Sequence, residues 1–441
     1  MTNLRELPDD VVTHDARPVG MHDGCDCGTA PERSDPWRGG FTRRRMLQGG
    51  AALVAAFGAQ QVTTRYAFSA PAAGARKDVL ILVSLRGGWD SMNAFVPAFE
   101  ANYYRFRPNI AIPQGALIPL SNGFGMHPAL APLLPFWQRK QMAVVQAVGT
   151  PDTTLSHFEA MDTVERGVGN GHGDGWLNRV LQARADKGVF SAVQIGSSLP
   201  TSLSGPAPAL AMDGIDSFGL GGLDYIRAES TRALRTMYAG YTHPMASQVH
   251  DTLAALDTTT RLQKTGYTSA VDYPGGYFAD RLKEVARLIK ANIGLSIATL
   301  DVGGWDTHSG QGGVNGDFAD NLAGLSGGLA AFLTDIGPKI ADVSVAVISE
   351  FGRTLHGNDN NGTDHGRGQA MLLLGGGLNG GRVYAKWPGL NPRDGYDNSL
   401  MGTTDYRSVL GELLTRRAGV TSLARVFPDL KPTTVGAIKP R

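Results

Sequence analysis

This sequence predicts an α/β protein built on a doubly wound, mostly parallel sheet, on three observations. Continuous apolar runs recur at 79–85, 142–148, 295–302, 343–348 and 370–374. Runs without polar alternation are expected of strands buried on both faces of a parallel sheet. Stretches of helical periodicity alternate with them, and Gly-rich junctions carrying acidic residues and histidines follow several of them.

In chain order, residues 1–41 are acidic, rich in Pro and Gly, and read as a disordered leader. They hold the only cysteines, Cys25 and Cys27. Two thiolates without further ligands make a poor metal site, so this pair reads as part of a solvated leader. Beyond it neither disulfides nor thiolate chemistry is available, and any metal must rest on oxygen and imidazole. Residues 42–60, TRRRMLQGGAALVAAFGAQ, fit the twin-arginine pattern of Ser/Thr-Arg-Arg-x-large apolar-Leu-polar followed by an apolar stretch. Gln60, Gln61, Thr63, Thr64 and Arg65 close that stretch short of the roughly 20 apolar residues of a membrane helix. The segment 42–72, with Ala70-Pro71-Ala72 as cleavage site, therefore predicts a partnership with the twin-arginine export machinery and no stable membrane span. The destination is the periplasm, the cell wall or the medium.

Residues 73–441 lack a linker rich enough in Pro or Ser to divide them and read as one domain. The first strand, 79–85, ends at Gly87-Gly88, which places Asp90 at a strand's carboxyl end, where open α/β sheets bind ligands. A helical stretch over 128–140 leads into the second strand. A helix over 277–292, with Leu282, Val285, Leu288 and Ile289 at helical spacing, feeds the third. A helix over 317–335 precedes the fourth. Residues about 196–275 alternate Pro, Gly and Ser with short apolar pieces and read as an inserted, cap-like subregion. Lys and Arg number 41 against 40 Asp and Glu, without a basic run beyond Arg43–Arg45, which argues against nucleic acid as a partner.

Polar clusters follow these strands: Asp90, Ser156-His157, Asp306-Thr307-His308 and Glu350, with Asp364-His365 just before the fifth. Gathered at one sheet edge, such carboxylates and imidazoles suit a divalent metal, Zn, Mn or Mg, rather than a soft one. Residues i and i+2 of an extended turn point to the same side, so Asp306 and His308 can share an ion; the plain alternative is a turn cap. Glu350 with Arg353 offers a ligand and an anion clamp, or else a salt bridge between the two. Asp364-His365 sits between glycines that let backbone approach a ligand. Ser156 is the candidate nucleophile, activated by metal rather than by His157, because adjacent side chains at a helix start diverge. It also heads a Ser-x-x-Glu capping box with Glu159. His127, His172, His243, His250 and His356 read as surface or packing residues.

LRGGWDSMNAFVP, YYRFRPNIAIP, FGMHPALAPL, LSHFEAMDTVERG, GDGWLNR, SEFGRT, GTDHGRG and TTDYRSVLGELL, in this order behind the twin-arginine segment, resemble the bacterial family catalogued as domain of unknown function 1501. The resemblance covers nearly all of residues 73–441. It implies an alkaline phosphatase-like fold of the phosphatase and sulfatase superfamily, two metal ions, an alcohol nucleophile and in-line displacement at phosphorus or sulfur. On this resemblance Asp90 corresponds to the first-strand metal ligand and Ser156 to the nucleophile. Asp306 and His308 correspond to ligands of the first metal, Glu350 to a ligand of the second, and His365 to the late histidine completing the first site. An alternative register makes Asp364 and His365 the Asp-His pair of the second site. Two departures weaken one metal site and put hydrolysis itself in question: one residue separates Asp306 from His308 where three are common, and Phe351 stands where a second-metal ligand is often His or Asn. The function so implied is an exported metal-dependent hydrolase of phosphate or sulfate esters, small-molecule or polymeric. The alternative is a secreted binding or assembly protein that has kept the fold and lost turnover. A classical serine hydrolase ranks last, for want of a Gly-x-Ser-x-Gly elbow.

Overall fold

A computed structural model of the chain describes residues 78–168, 173–186, 188–220, 224–391 and 398–441. The leader with Cys25 and Cys27, the twin-arginine segment 42–72 and His172 lie outside the described residues. Nine strands form the main sheet: β1 (Val79–Leu85), β2 (Met142–Gly149), β3 (Ala192–Ile195), β4 (Leu210–Met212), β5 (Ile297–Val302), β6 (Val343–Ser349), β7 (Gln369–Gly375), β8 (Arg382–Tyr384) and β9 (Thr404–Asp405). Their order is β8-β2-β7-β6-β1-β5-β3-β4, with β9 also paired to β2. The main helices are α1 (His157–Arg166), α2 (Trp176–Arg184), α3 (Asp224–Tyr238), α4 (Pro244–Thr265), α5 (Tyr277–Ala291), α6 (Asp317–Asp335) and α7 (Tyr406–Arg416).

The fold is thus α/β with a large, mostly parallel sheet, wound on both faces. β1 is central and runs parallel to β5 and β6, with Leu82 opposite Thr299 on one side and Ala346 on the other. Successive side chains of a strand leave by opposite faces. Ile81, Val83 and Leu85 accordingly join one core with Leu282 and Val285 of α5 and Leu322 and Leu325 of α6. Leu80 and Leu82 join a second with Leu177 and Val180 of α2 and Val409 and Leu413 of α7. Burial on both faces is why the strands read as unbroken apolar runs.

The fifth predicted strand, β7, runs antiparallel to both of its neighbours, β2 and β6. A parallel return requires a crossover, usually a helix, and the segment between β6 and β7 contains none, so the chain turns back at the edge it left. The helix expected over 128–140 is a 3-10 turn, Pro128–Leu133, followed by a short α-helix, Leu134–Gln138. Pro132 and Pro135 remove the backbone donors that a single longer helix would need. Within 196–275, β4 extends the main sheet beside β3, while α3 and α4 pair with each other, helped by an Arg235–Asp257 ion pair at 2.6 Å. Among the described residues no helix is long and apolar enough to cross a membrane.

Asp335, buried at the end of α6, fixes the segment before α5. Its carboxylate accepts from the Tyr267 hydroxyl, the Tyr273 hydroxyl at 2.9 Å, the Ala270 amide at 2.6 Å and Lys290 Nζ at 2.5 Å. Burial pushes this carboxyl up, but the Lys290 ammonium and the other donors outweigh it and hold the group below the usual Asp value. Asp335→Ala is therefore expected to lower unfolding free energy by about 3 kcal/mol, because several donors lose their acceptor. Chemical denaturation should show the full deficit at pH 7. A lowered folded pKa contributes stability above the unfolded value and loses it on acidification, so the gap should close below about pH 4.

Candidate metal centre

The carboxyl ends of β2, β6, β1 and β5 lie at one edge of the sheet, and the antiparallel β7 begins there. The connections that leave or enter this edge carry every polar cluster singled out in the sequence. Gly87 and Gly88 let them approach: their φ angles are +124° and +67°. A Cβ on Gly87 would lie 2.5 Å from the Asp306 amide nitrogen, and one on Gly88 would lie 2.5 Å from the Phe351 ring. The turn after β1 is thus wedged between the loops after β5 and β6. No side chain fits at either position.

Arg353 locks this arrangement. It is only 1% exposed. Its guanidinium donates to the carbonyls of Gly87 and Gly88, of Thr363 at 2.8 Å and of Trp305 at 3.1 Å, and to the Asp306 carboxylate. The expected anion clamp is therefore a brace: its donors are engaged by protein acceptors, and it forms no pair with Glu350.

Asp306, His157, His308 and His365 converge beside that brace. Asp306 Oδ1 lies 3.1 Å from His308 Nε2 and 3.2 Å from His365 Nε2, and its Oδ2 lies 3.4 Å from His157 Nε2. The Nε2 atoms of His308 and His365 are 2.9 Å apart. In His157, Asp306 and His365, one ligand atom from each falls within 4.8 Å of the other two.

The opposite ring nitrogens fix the tautomers. His157 Nδ1 contacts Glu350 Oε1 at 2.7 Å, His308 Nδ1 contacts Asp364 Oδ1 at 2.9 Å, and His365 Nδ1 contacts the Leu155 carbonyl at 2.8 Å. Carboxylates and carbonyls only accept, so each Nδ1 must carry the proton. A ring that carries only this proton presents an Nε2 lone pair, and the three Nε2 atoms all face one carboxylate. Lone pairs so arranged repel one another, and a cation among them would relieve that. Buried His157 Nε2 accordingly has no hydrogen-bond partner.

Electrostatics favour the ligand form of Asp306 and His365. Burial raises the Asp306 carboxyl, but the Arg353 hydrogen bond and charge, then His308 and His365, leave it below the usual value. The His308 hydrogen bond lowers Asp364. Burial lowers His365, against the Leu155 carbonyl, and the His157 and Arg353 charges add to the lowering. Phe351, itself buried, packs at 4.9 Å from both the His157 and His365 rings and fixes their spacing.

The structure brings Asp306, His308 and His365 together and adds His157, which sequence reasoning set aside. His157 belongs to one of the polar clusters that suit a metal, but no ligand role is given to it by name; the legible signal is its place as the first residue of a helix at the same sheet edge. Asp90 stands apart. It is fully buried, and its Oδ2 accepts from Arg107 and Gln311 at 2.6 Å each, so its charge is already compensated within the fold. Glu350 does not face the centre as a ligand: it accepts from His157, the Gly87 amide at 2.8 Å and Ser349 at 2.7 Å. Asp364 likewise orients His308, with Asn358 at 3.0 Å. Ser156 is exposed at the N-cap of α1, yet its hydroxyl makes no cap bond. The expected capping box does not form, because Glu159 accepts from Thr154 at 2.8 Å instead.

The model of the family described as "Protein of unknown function (DUF1501)" matches residues 137–401. No curated protein matches the chain in sequence. Among solved structures it is similar to an alkaline phosphatase from the Antarctic bacterium TAB5, at 12% identity over 70% of this chain and 95% of that one, with a TM-score of 0.26. It is also similar to BT1596, a 2-O GAG sulfatase, at 8% identity over 68% of this chain and 65% of that one, TM-score 0.28. PsFucS1 sulfatase from Pseudoalteromonas sp. is similar at 12% identity over 78% and 68%, TM-score 0.26.

Because Gly88 is left-handed and faces a buried ring, Gly88→Ala should displace Phe351 and cost about 2 kcal/mol or more. Denaturation midpoints of wild type and variant, compared at equal m-value, check this. A change below about 0.5 kcal/mol would show that the ring does not hold the loops apart.

Proposed function

We propose that this chain, which belongs to the DUF1501 family, is a divalent-metal-dependent hydrolase of phosphate or sulfate esters that the twin-arginine pathway exports to the periplasm, the cell wall or the medium. The observation that carries the reading is the convergence of three Nε2 atoms on the Asp306 carboxylate. His157, Asp306, His308 and His365 are the ligands in this proposal. Three imidazoles to one carboxylate suit Zn or Mn better than Mg, which prefers an all-oxygen shell. An ion held there supplies a Lewis acid for an ester oxygen and lowers the pKa of a nearby hydroxyl.

The chain's own groups do the rest. Glu350, Asp364 and the Leu155 carbonyl hold the three rings in one tautomer and orientation, the support that metal-binding histidines commonly receive. Arg353 keeps Asp306 ionised. Ser156, unengaged by the helix cap and next to His157 in the chain, is the nucleophile of the proposal. The half-exposed Asp306 and His308 leave the centre open to substrate, whether a small molecule or a polymer.

One pair of observations favours the second reading, a secreted binding or assembly protein without turnover. Arg353 is engaged throughout, and Asp90 is paired with Arg107, so among the described residues neither a free anion clamp beside Asp306 nor a second metal cluster is present.

Elemental analysis of purified protein should find about one divalent ion per chain, lost in His157→Ala and His365→Ala. A screen of phosphate and sulfate esters should detect turnover that Ser156→Ala lowers about 10³-fold while retaining the metal. Metal without turnover supports the second reading, and absence of metal overturns the first. Because His365 is held below the ordinary value near 6.5, its Nε2 stays proton-free to lower pH than an exposed histidine would. Metal retention should therefore persist at about pH 6 and fail on further acidification. Loss already above pH 7 would contradict that ligand.

A further inference from the structure

Resting on the hydrolase reading, we infer that Leu155 and Phe158 form an apolar lip that receives the leaving group, so that the favoured substrates are esters of aromatic alcohols. Among the described residues few large apolar side chains are exposed, and two of them bracket Ser156-His157: Leu155 at 37% and Phe158 at 84%. A scattered apolar residue on a surface is ordinary. Two within four residues, on either side of the candidate nucleophile and a candidate ligand, are not scattered. Phe158 is the second residue of α1, a position where a polar side chain would serve the helix equally well.

The lip stands on a fixed base. The carbonyl of Leu155 is the acceptor that orients His365, and Phe158 follows His157, whose ring is held by Glu350. Backbone positions pinned in this way present their side chains with little ordering cost on binding. The centre also needs such a contact. Arg353, the guanidinium that reaches Asp306, has its donors engaged within the protein, so binding energy beyond the ion itself must come from the part of the substrate that does not react. On either side of Ser156-His157 in the chain stand an exposed isobutyl and an exposed phenyl group. An aromatic ring stacked edge-on or offset against Phe158 is the complement with the largest gain per atom.

The test uses binding, not turnover. Purified full-length protein, its metal content measured on the same sample, is titrated with phenylphosphonate and with methylphosphonate, neither of which has an ester bond to break. Phenylphosphonate should bind about tenfold tighter, the scale expected from burying part of one ring. Phe158→Ser should reduce the ratio to near one with metal content and melting temperature unchanged. Leu155→Ser should reduce it in part, whereas Tyr241→Ser, an exposed aromatic between α3 and α4, should leave it alone. Equal affinities in the wild type, a ratio unmoved in both lip variants, or no binding of either phosphonate to metal-replete protein overturns the inference. Absence of metal is a separate failure, that of the centre itself; a phenyl preference persisting without metal would leave the lip standing.

Discussion

The buried guanidinium of Arg353 is the interaction on which the sheet edge depends. Burying a charge is costly unless its hydrogen-bonding capacity is met, and here it is met by acceptors from three separate segments: the turn after β1, the loop after β5 and the strand entry before β7. These segments are far apart in the chain, and Trp89 and Trp305 also pack edge to face between two of them, at 6.0 Å. The cation adds a directional tie to that apolar contact. The same cation keeps Asp306 ionised, so the scaffold and the electrostatics of the centre share a single side chain.

Around that brace the imidazoles are arranged by a division of labour among acidic groups. Asp306 alone turns its oxygens toward the Nε2 atoms. Glu350 and Asp364 face the opposite nitrogens, as does the Leu155 carbonyl. Six acidic or imidazole groups at one edge therefore do not make a six-ligand site. Three of the carboxylates expected as ligands, counting Asp90, are hydrogen-bonded elsewhere, and what they leave is a smaller centre with more nitrogen in it.

The strands β1, β2, β5, β6 and β7 were legible because each is buried on both faces and long enough to leave an unbroken apolar run. β3, β4, β8 and β9 are two to four residues long, too short for any periodicity to register. The reversed direction of β7 was written only in what is missing, a crossover helix between 350 and 368. Asp306, His308 and His365 could be picked out because glycines flank them and strands place them at one edge. Asp90 satisfied the same criteria and stands apart from the cluster, since its pairing with Arg107 depends on a short helix, Ala101–Phe106, whose docking no local pattern specifies. His157 was missed for the converse reason. Adjacent residues do diverge at a helix start, and that very divergence turns His157 inward to Glu350 while leaving Ser156 exposed.

A proton could in principle relieve the convergence of lone pairs, as a metal does. One proton shared between the Nε2 atoms of His308 and His365 would satisfy that contact at 2.9 Å. It would leave His157 Nε2 buried and unpartnered against Asp306 Oδ2 at 3.4 Å, beyond ordinary hydrogen-bond range. Protonating His365 is moreover opposed by its burial and by the neighbouring Arg353 charge. Repeating the remedy at each ring would gather cationic imidazoles with centroids 4.3 and 4.7 Å apart, which raises the repulsion it was meant to remove. A single divalent ion accepts several lone pairs at once and balances the Asp306 charge without charging any ring. The proposed ion therefore accounts for the convergence of His157, Asp306 and His365 more simply than a set of separate proton bridges does.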